Sequence, residues 1–328
     1  MTKKIHATVF IPTYYGEAYL NELLWAVFRQ KTDFDFEVLI YDTDSKDATQ
    51  DIIKKYAKKH DNLRYRVIQK EEFGHGKTRQ AAAHDAKGDI VVYLSQDATP
   101  AHDRWLHEMV KPFSLNDRIV GVVGKQDPRP KALPLLKSEI KAVFSNLGND
   151  CGTTLYYGDD FVKNQQQYDL VCFYSDVNSA ARKSALVGDL PYSDVPYAED
   201  QLFGRDLINA GYIKAYASRG NVLHTNDVSL KDYQYRMFDE TMGLKRVGIP
   251  VDTPGIRQIT KLVVRGTLKD AWRTVQDGEY SLKRKVYWLL LNPLFHIQKW
   301  KGIRRAAQTS VDDSATTEKY SLEGLKKR

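Results

Sequence analysis

The stretch Asp89–Pro100, DIVVYLSQDATP, decides the fold. Ile90 to Leu94 has the length and β-branched content of a strand buried on both faces, and it stops abruptly at Ser95-Gln96-Asp97-Ala98. Asp97 therefore stands at a strand's carboxyl end. In open parallel α/β sheets ligands bind beside those ends, where a carboxylate can meet a metal ion or a nucleotide. The stretch also permits a plainer reading in which Asp97 only starts a turn, helped by Pro100.

The residues before it repeat the same grammar. Ala7 to Pro12 reads as a buried strand ending at Thr13-Tyr14-Tyr15-Gly16, and Glu17 to Gln30 carries Leu20, Leu23, Leu24, Val27 and Phe28 at helical spacing. A second strand, Phe36 to Tyr41, ends at Asp42. Asp47-Ala48-Thr49-Gln50 then has the form of a capping box opening a helix that buries Ile52, Ile53 and Tyr56. Right-handed crossovers put Thr13 and Asp42 on one sheet edge. Leu63 to Ile68 is a third strand, followed by FGHGKTRQ (residues 73–80) and an alanine-rich helix to Lys87. Gly74 and Gly76 permit tight turns, and Lys77 and Arg79 can donate to phosphate, although an ordinary surface loop has the same composition. The loop fits neither the phosphate-loop nor the dinucleotide fingerprint, so hydrolysis of nucleotides and hydride transfer lack their motifs.

Beyond the central stretch, Trp105 to Phe113 reads as a helix and Ile119 to Val123 as a strand, with residues 125–170 irregular. Asp159 and Asp160 there read as a solvated turn or as paired carboxylates. Ala198-Glu199-Asp200-Gln201 leads into a helix, Leu202 to Ala210, whose first turn gains from acidic residues with or without chemistry. A strand from Ile213 to Ala217 and a further apolar run end in His224, a satisfied strand-end histidine or a metal ligand.

The composition of this 328-residue chain, 42% hydrophobic and 28% charged, is that of a globular protein. Two cysteines, Cys151 and Cys172, give no disulfide framework and no thiolate zinc cluster. The opening MTKKIHATVFIP has no signal-peptide core, and no apolar run approaches the ~20 residues of a membrane span. The net charge of +7 is unevenly placed. Gly255 to Arg305 holds twelve Lys/Arg against three acids, which leaves the remainder at about −2 and argues against nucleic acid as a partner. Within this segment, Val286 to Ile297 is apolar and flanked by cations and tryptophan. That pattern suits an interfacial anchor on anionic lipid, or a helix pair docked with a basic solvated face.

Together, VFIPTYYGEAYL, LIYDTDSKDAT, FGHGKTRQAAAHDAKGDIVVYLSQDATP and AEDQ resemble the family 2 glycosyltransferases, rhamnosyltransferase branch, over roughly residues 5–230. The family often has Asn at the position of Tyr15, and a second acid beside Asp97 where this chain has Gln96 and Ala98. The resemblance implies a GT-A type α/β fold, a Rossmann-like mostly parallel sheet flanked by helices, with a C-terminal helical basic extension. It implies a catalytic domain over 1–230, a helical membrane-associating region over 231–305 and a polar tail over 306–328. Thr13, Tyr15, Glu17, Asp42, His75, Arg79, Gln96 and Asp97 would bind the nucleotide sugar, with Asp42 on the base. Asp97 and His224 would hold Mg²⁺ or Mn²⁺, Asp200 with its neighbour Glu199 would be catalytic, and Asn178 and Ser179 would face the acceptor. The implied reaction is inverting, metal-dependent transfer of L-rhamnose from dTDP-β-L-rhamnose. Its acceptor would be an undecaprenyl-diphosphate-linked saccharide, as in Gram-positive cell-wall rhamnan, at the inner face of the cytoplasmic membrane. The competing readings are a UDP-hexose or UDP-N-acetylhexosamine donor on the same fold, a nucleotidyltransferase, and a non-catalytic scaffold.

Overall fold

A computed structural model describes residues 5–158, 164–195, 197–225 and 228–322, so Asp159 and Asp160 lie outside the described residues. The chain divides into two compact units, Met1–Asp127 with Lys141–His224, and Pro128–Ile140 with Thr225–Arg328.

The first unit is built on one sheet of nine strands: β1 (Ala7–Thr13), β2 (Phe36–Asp42), β3 (Leu63–Val67), β4 (Ile90–Leu94), β5 (Thr99–Pro100), β6 (Ile119–Asp127), β7 (Thr153–Tyr157), β8 (Asn178–Arg182) and β9 (Ile213–Leu223). Their order is β3-β2-β1-β4-β8-β6-β9-β5, with β7 also on β9. The first four in that order are parallel, and β6 and β9 are parallel to each other. β8 joins the two groups antiparallel to both, while β5 and β7 run antiparallel to β9. The expected GT-A sheet is thus present, in mixed form.

Helices α1 (Glu17–Val27), α2 (Thr49–Ala57), α3 (His75–Asp85), α4 (Trp105–Val110), α5 (Pro134–Asn146), α6 (Gln165–Cys172), α7 (Lys183–Leu186) and α8 (Glu199–Asn209) come between the strands. α1 turns Leu20, Leu23, Leu24 and Val27 inward, into the apolar cluster that also holds Val9, Ile11, Val38, Ile40, Val92 and Leu94. That core stops where the strands stop, so the polar residues following β1, β2 and β4 are held at its rim. The expected capping box at α2 is replaced by another arrangement. Asp47 Oδ1 accepts from Thr49 N at 3.1 Å, and the Ala48 amide donates across to Glu17 Oε2 at 3.0 Å.

The segment expected to be irregular holds α5, β7 and α6. In the second unit Leu133 and Leu135, which the sequence places with the first domain, join Tyr233, Met237, Tyr280, Trp288 and Phe295 in an apolar cluster. The remaining helices are α9 (Leu230–Arg246), α10 (Ile256–Gln276), α11 (Leu282–Gln308) and α12 (Ser314–Tyr320). α12 lies where a loose polar tail is expected, and Arg305 sits 4.0 Å over the Tyr320 ring. Among the described residues no helix is long and apolar enough to cross a membrane.

Candidate active site

The turns after β1, β2 and β4 are stitched together by side chains reaching backbone. Tyr15 N donates to Ser45 Oγ (2.9 Å) and Gly16 N to Thr49 Oγ1 (2.8 Å). Gln96 spends both ends of its amide on Tyr14, accepting from its N–H at 2.8 Å and donating to its carbonyl at 3.0 Å. Tyr15 holds a left-handed backbone at φ 49°, a conformation that Asn tolerates better than most side chains. Its ring is half exposed and meets Tyr14 edge to face at 4.7 Å.

Asp42 is fully buried. Thr13 Oγ1 (2.9 Å), Ser45 Oγ (2.7 Å) and Ser45 N (2.9 Å) all donate to its carboxylate. It therefore braces the β1 and β2 turns from inside.

The strand register brings the remaining residues to the same edge. Leu94 lies opposite Asn178, and Ser95 N donates to Val177 O, so Asp176 emerges beside the end of β4. Thr99 lies opposite Leu223, which places His224 next to the Asp97 turn. Asp97 Oδ2 is 3.5 Å from His224 Nε2. Gln126 Nε2 donates to Ser175 Oγ, so its Oε1 accepts from His224 Nδ1 at 3.1 Å. His224 Nε2 is thereby the ring nitrogen aimed at the carboxylate. A carboxylate and an imidazole side by side are two of the side-chain types that ligate divalent cations. Among the described residues no group of three or more His, Cys, Asp or Glu could hold a metal by itself.

Arg79 organises the acids. It projects from α3 with its side chain only 11% exposed, pairing Nε with Asp176 Oδ2 at 3.0 Å and Nη1 with Glu199 Oε1, while Nη1 also reaches His75 O at 3.2 Å. Burial opposes its charge, but the Asp176 and Glu199 carboxylates outweigh that and hold the guanidinium above its ordinary range. Ser179 Oγ (2.6 Å) and Tyr192 OH (2.9 Å) also donate to Asp176 Oδ1. Asp200 is a third carboxylate beside this pair, bonded to backbone and not to Arg79. It accepts from Asp176 N at 3.3 Å and Gln201 N at 2.8 Å. Burial first, then the neighbouring Glu199 and Asp176 charges, push its carboxyl up to about 8. Ala198, left-handed at φ 62°, turns the chain so that both acids enter the first turn of α8.

Several expectations change here. Glu199 is locked on Arg79, whereas Asp200 accepts from backbone amides. Arg79, expected to contact the donor nucleotide, meets Asp176 through Nε and Glu199 through Nη1. Asn178 and Ser179 are fully buried and have no accessible surface for an acceptor. Asn178 accepts from Trp105 Nε1 (3.0 Å) and donates to Lys125 O (3.1 Å) and Gly220 O (2.7 Å), and Ser179 serves Asp176. Glu17 holds Ala48. His75, in the first turn of α3, is partly exposed and meets Phe73 edge to face at 5.1 Å. Asp176 and Tyr192 escape sequence reading, because an acid before a strand of small residues carries no motif.

Gly76 also matters for a reason invisible in sequence. A Cβ there would lie 1.9 Å from the carbonyl oxygen of Ser193 and 3.5 Å from Glu199 Cβ. Gly76→Ala is therefore expected to cost about 1–3 kcal/mol through overpacking, read as a lower melting temperature, and to lower activity by displacing the approach to α8.

A sheet whose strand ends gather aromatic rings, a carboxylate–imidazole pair and a buried acid cluster is that of a GT-A glycosyltransferase. The chain belongs to glycosyl transferase family 2, whose model matches residues 8–188. Over 237 residues it is 32% identical to the O-antigen chain rhamnosyltransferase WbaN of Salmonella anatum, covering 71% of this chain and 70% of that protein. RfbN of Salmonella typhimurium, also an O-antigen chain rhamnosyltransferase, is 28% identical over the same shares. Among solved structures, the mannosyltransferase PcManGT from Pyrobaculum calidifontis, in complex with GDP-Man and Mn²⁺, superposes with a TM-score of 0.58 at 16% identity, covering 93% of this chain and 86% of that one. The protein is a glycosyltransferase.

Proposed function

We propose that the enzyme transfers L-rhamnose, with inversion, from dTDP-β-L-rhamnose to a hydroxyl of a lipid-linked, rhamnose-containing acceptor in cell-surface polysaccharide synthesis, forming an α-1,3 or α-1,2 linkage. The observation that carries the reaction type is Asp200 at the start of α8, beside Arg79, Glu199 and Asp176, where burial and the two neighbouring acids push its carboxyl up to about 8. A base titrating near the working pH can take the acceptor's proton as the hydroxyl attacks the anomeric carbon. The donor assignment is supported by the two rhamnosyltransferase relatives.

On this reading the exposed Tyr14 and Tyr15 rings offer the thymine a stacking surface, and the turn bearing Thr13, Glu17 and Asp42 is the frame behind it. Asp97 and His224 would hold the divalent ion, which neutralises charge on the departing diphosphate. An imidazole next to a carboxylate favours Mn²⁺ over Mg²⁺. The acceptor's carrier would bring the enzyme to the cytoplasmic membrane surface as a peripheral protein.

The test is release of nucleoside diphosphate from dTDP-rhamnose, UDP-glucose and UDP-N-acetylglucosamine, with and without Mn²⁺, in the presence of a lipid-linked rhamnosyl acceptor. Turnover of dTDP-rhamnose alone is expected, falling by about 10²-fold or more in Asp97→Ala. Turnover of a UDP-sugar instead discards the donor, and metal-independent turnover discards the role of Asp97 and His224.

A further inference from the structure

Long amphipathic helices bury one stripe, and α10 and α11 each leave a second apolar stripe in solvent. α10 buries Asp270 and Thr274. On its other side Val264, Leu268, Trp272 and Val275 follow at three- and four-residue spacing, with Leu268 66% and Trp272 65% exposed. Arg257, Lys261, Arg265 and Lys269 climb the same exposed side at four-residue spacing, and no ion pair involves any of them among the described residues. α11 divides in the same way. Trp288, Asn292, Phe295 and His296 are buried, whereas Leu282, Val286, Leu290, Leu294 and Ile297 are exposed, Leu290 at 71%. The apolar piece that looks in sequence like one anchor is therefore half core and half surface. At the turn between the helices, Lys285 Nζ donates to Val275 O at 2.6 Å and holds the end of α10 against the start of α11.

Scattered exposed apolar residues need no explanation, but two continuous stripes do. A protein partner of ordinary composition would not require an unpaired ladder of four cations beside the apolar residues. An anionic bilayer surface requires both: acyl chains for the stripe, phosphate headgroups for the ladder, and an interfacial position for a tryptophan. We infer that the exposed faces of α10 and α11 lie on an anionic lipid surface, with α10 as the main lipid-reading element. This rests on the lipid-linked acceptor only in giving the surface a use, since it requires no substrate.

The experiment is co-sedimentation of the full chain with vesicles of phosphatidylcholine alone or with 30% phosphatidylglycerol, vesicle compositions chosen as about the anionic content of a bacterial membrane surface. Binding only to the anionic vesicles is expected, weakened by 0.5 M salt, a concentration at which screening is about 4 Å. The variant Arg257→Gln/Lys261→Gln/Arg265→Gln/Lys269→Gln is expected to bind about 100-fold more weakly, and Leu268→Ser/Trp272→Ser at least about 10-fold more weakly, both keeping wild-type circular dichroism. dTDP release from dTDP-rhamnose without vesicles should be unchanged in both, which separates a failure of the surface from a failure of the rhamnosyltransferase reading. Equal binding to both vesicle types, or binding that survives both variants, overturns the inference. So does absence of vesicle binding with self-association by light scattering that Trp272→Ser abolishes, because the face then belongs to a second copy.

Discussion

Asp200→Asn is expected to lower glycosyl transfer by about 10²–10⁴-fold with little change in donor affinity, because it removes a proton acceptor and keeps the shape of the side chain. In the unaltered enzyme the active form is the carboxylate. Activity should therefore climb about tenfold per pH unit on the acid side and level off above about 8, where Asp200 has lost its proton. The variant's residual rate should lack that limb. Stability should move the other way. Asp200 titrates near 8 in the folded protein against an ordinary value of 3.8, so the folded state holds the proton more tightly and loses stability as pH rises between those values. Asn carries no such cost. The variant should thus match the parent at pH 4 and exceed it by on the order of 1–3 kcal/mol at pH 9, measured by urea unfolding. A variant that turns over at the parental rate, or one with no pH-dependent gain in stability, would remove Asp200 from this role.

The contrast between legible and hidden parts of the fold follows from which residues carry local signals. β1, β2 and β4 are runs of β-branched and aromatic residues with polar stops, and those stops come together at one edge of the sheet. β8 has the sequence NSAAR, without the bulk that marks a strand. Small residues are needed because β8 is covered on both flanks and Ala180 and Ala181 are fully buried, so the requirement comes from packing partners far away in the chain. Asp42, Asp97, Glu199 and Asp200 are legible as strand-end or helix-start acids, and Asp176 is not. Their division of labour is not legible either, because it depends on where Arg79 points. An arginine three residues after a glycine reads as a phosphate ligand, and only the fold brings Asp176 and Glu199 onto it. Lys214 makes the same point. Buried within β9, its ammonium donates to Leu170 O and Phe173 O at the end of α6, a capping role that nothing in IKAYAS announces.

Arg79→Met should be among the most destabilising single changes in the chain, about 3–5 kcal/mol at pH 7, because it leaves Asp176 and Glu199 buried without their cation. The loss should shrink as pH falls and the orphaned carboxylates take up protons. Arg79→Lys should recover only part of it, since an ammonium cannot reproduce a guanidinium that meets one acid through Nε and the other through Nη1. Combining Arg79→Met with Glu199→Gln should cost less than the sum of the single changes, as expected for residues sharing one ion-pair network. The alternative, in which Arg79 serves the donor diphosphate directly, makes the opposite demands: near-parental unfolding free energy, a raised KM for the nucleotide sugar, and additive effects with Glu199→Gln. Urea denaturation of the four variants, Glu199→Gln alone included, at pH 5 and pH 7, with donor titrations alongside, separates them. A cation shared by two acids beside a third sets the charge against which Asp200 titrates, so the stability of this cluster and the pH dependence of transfer should shift together.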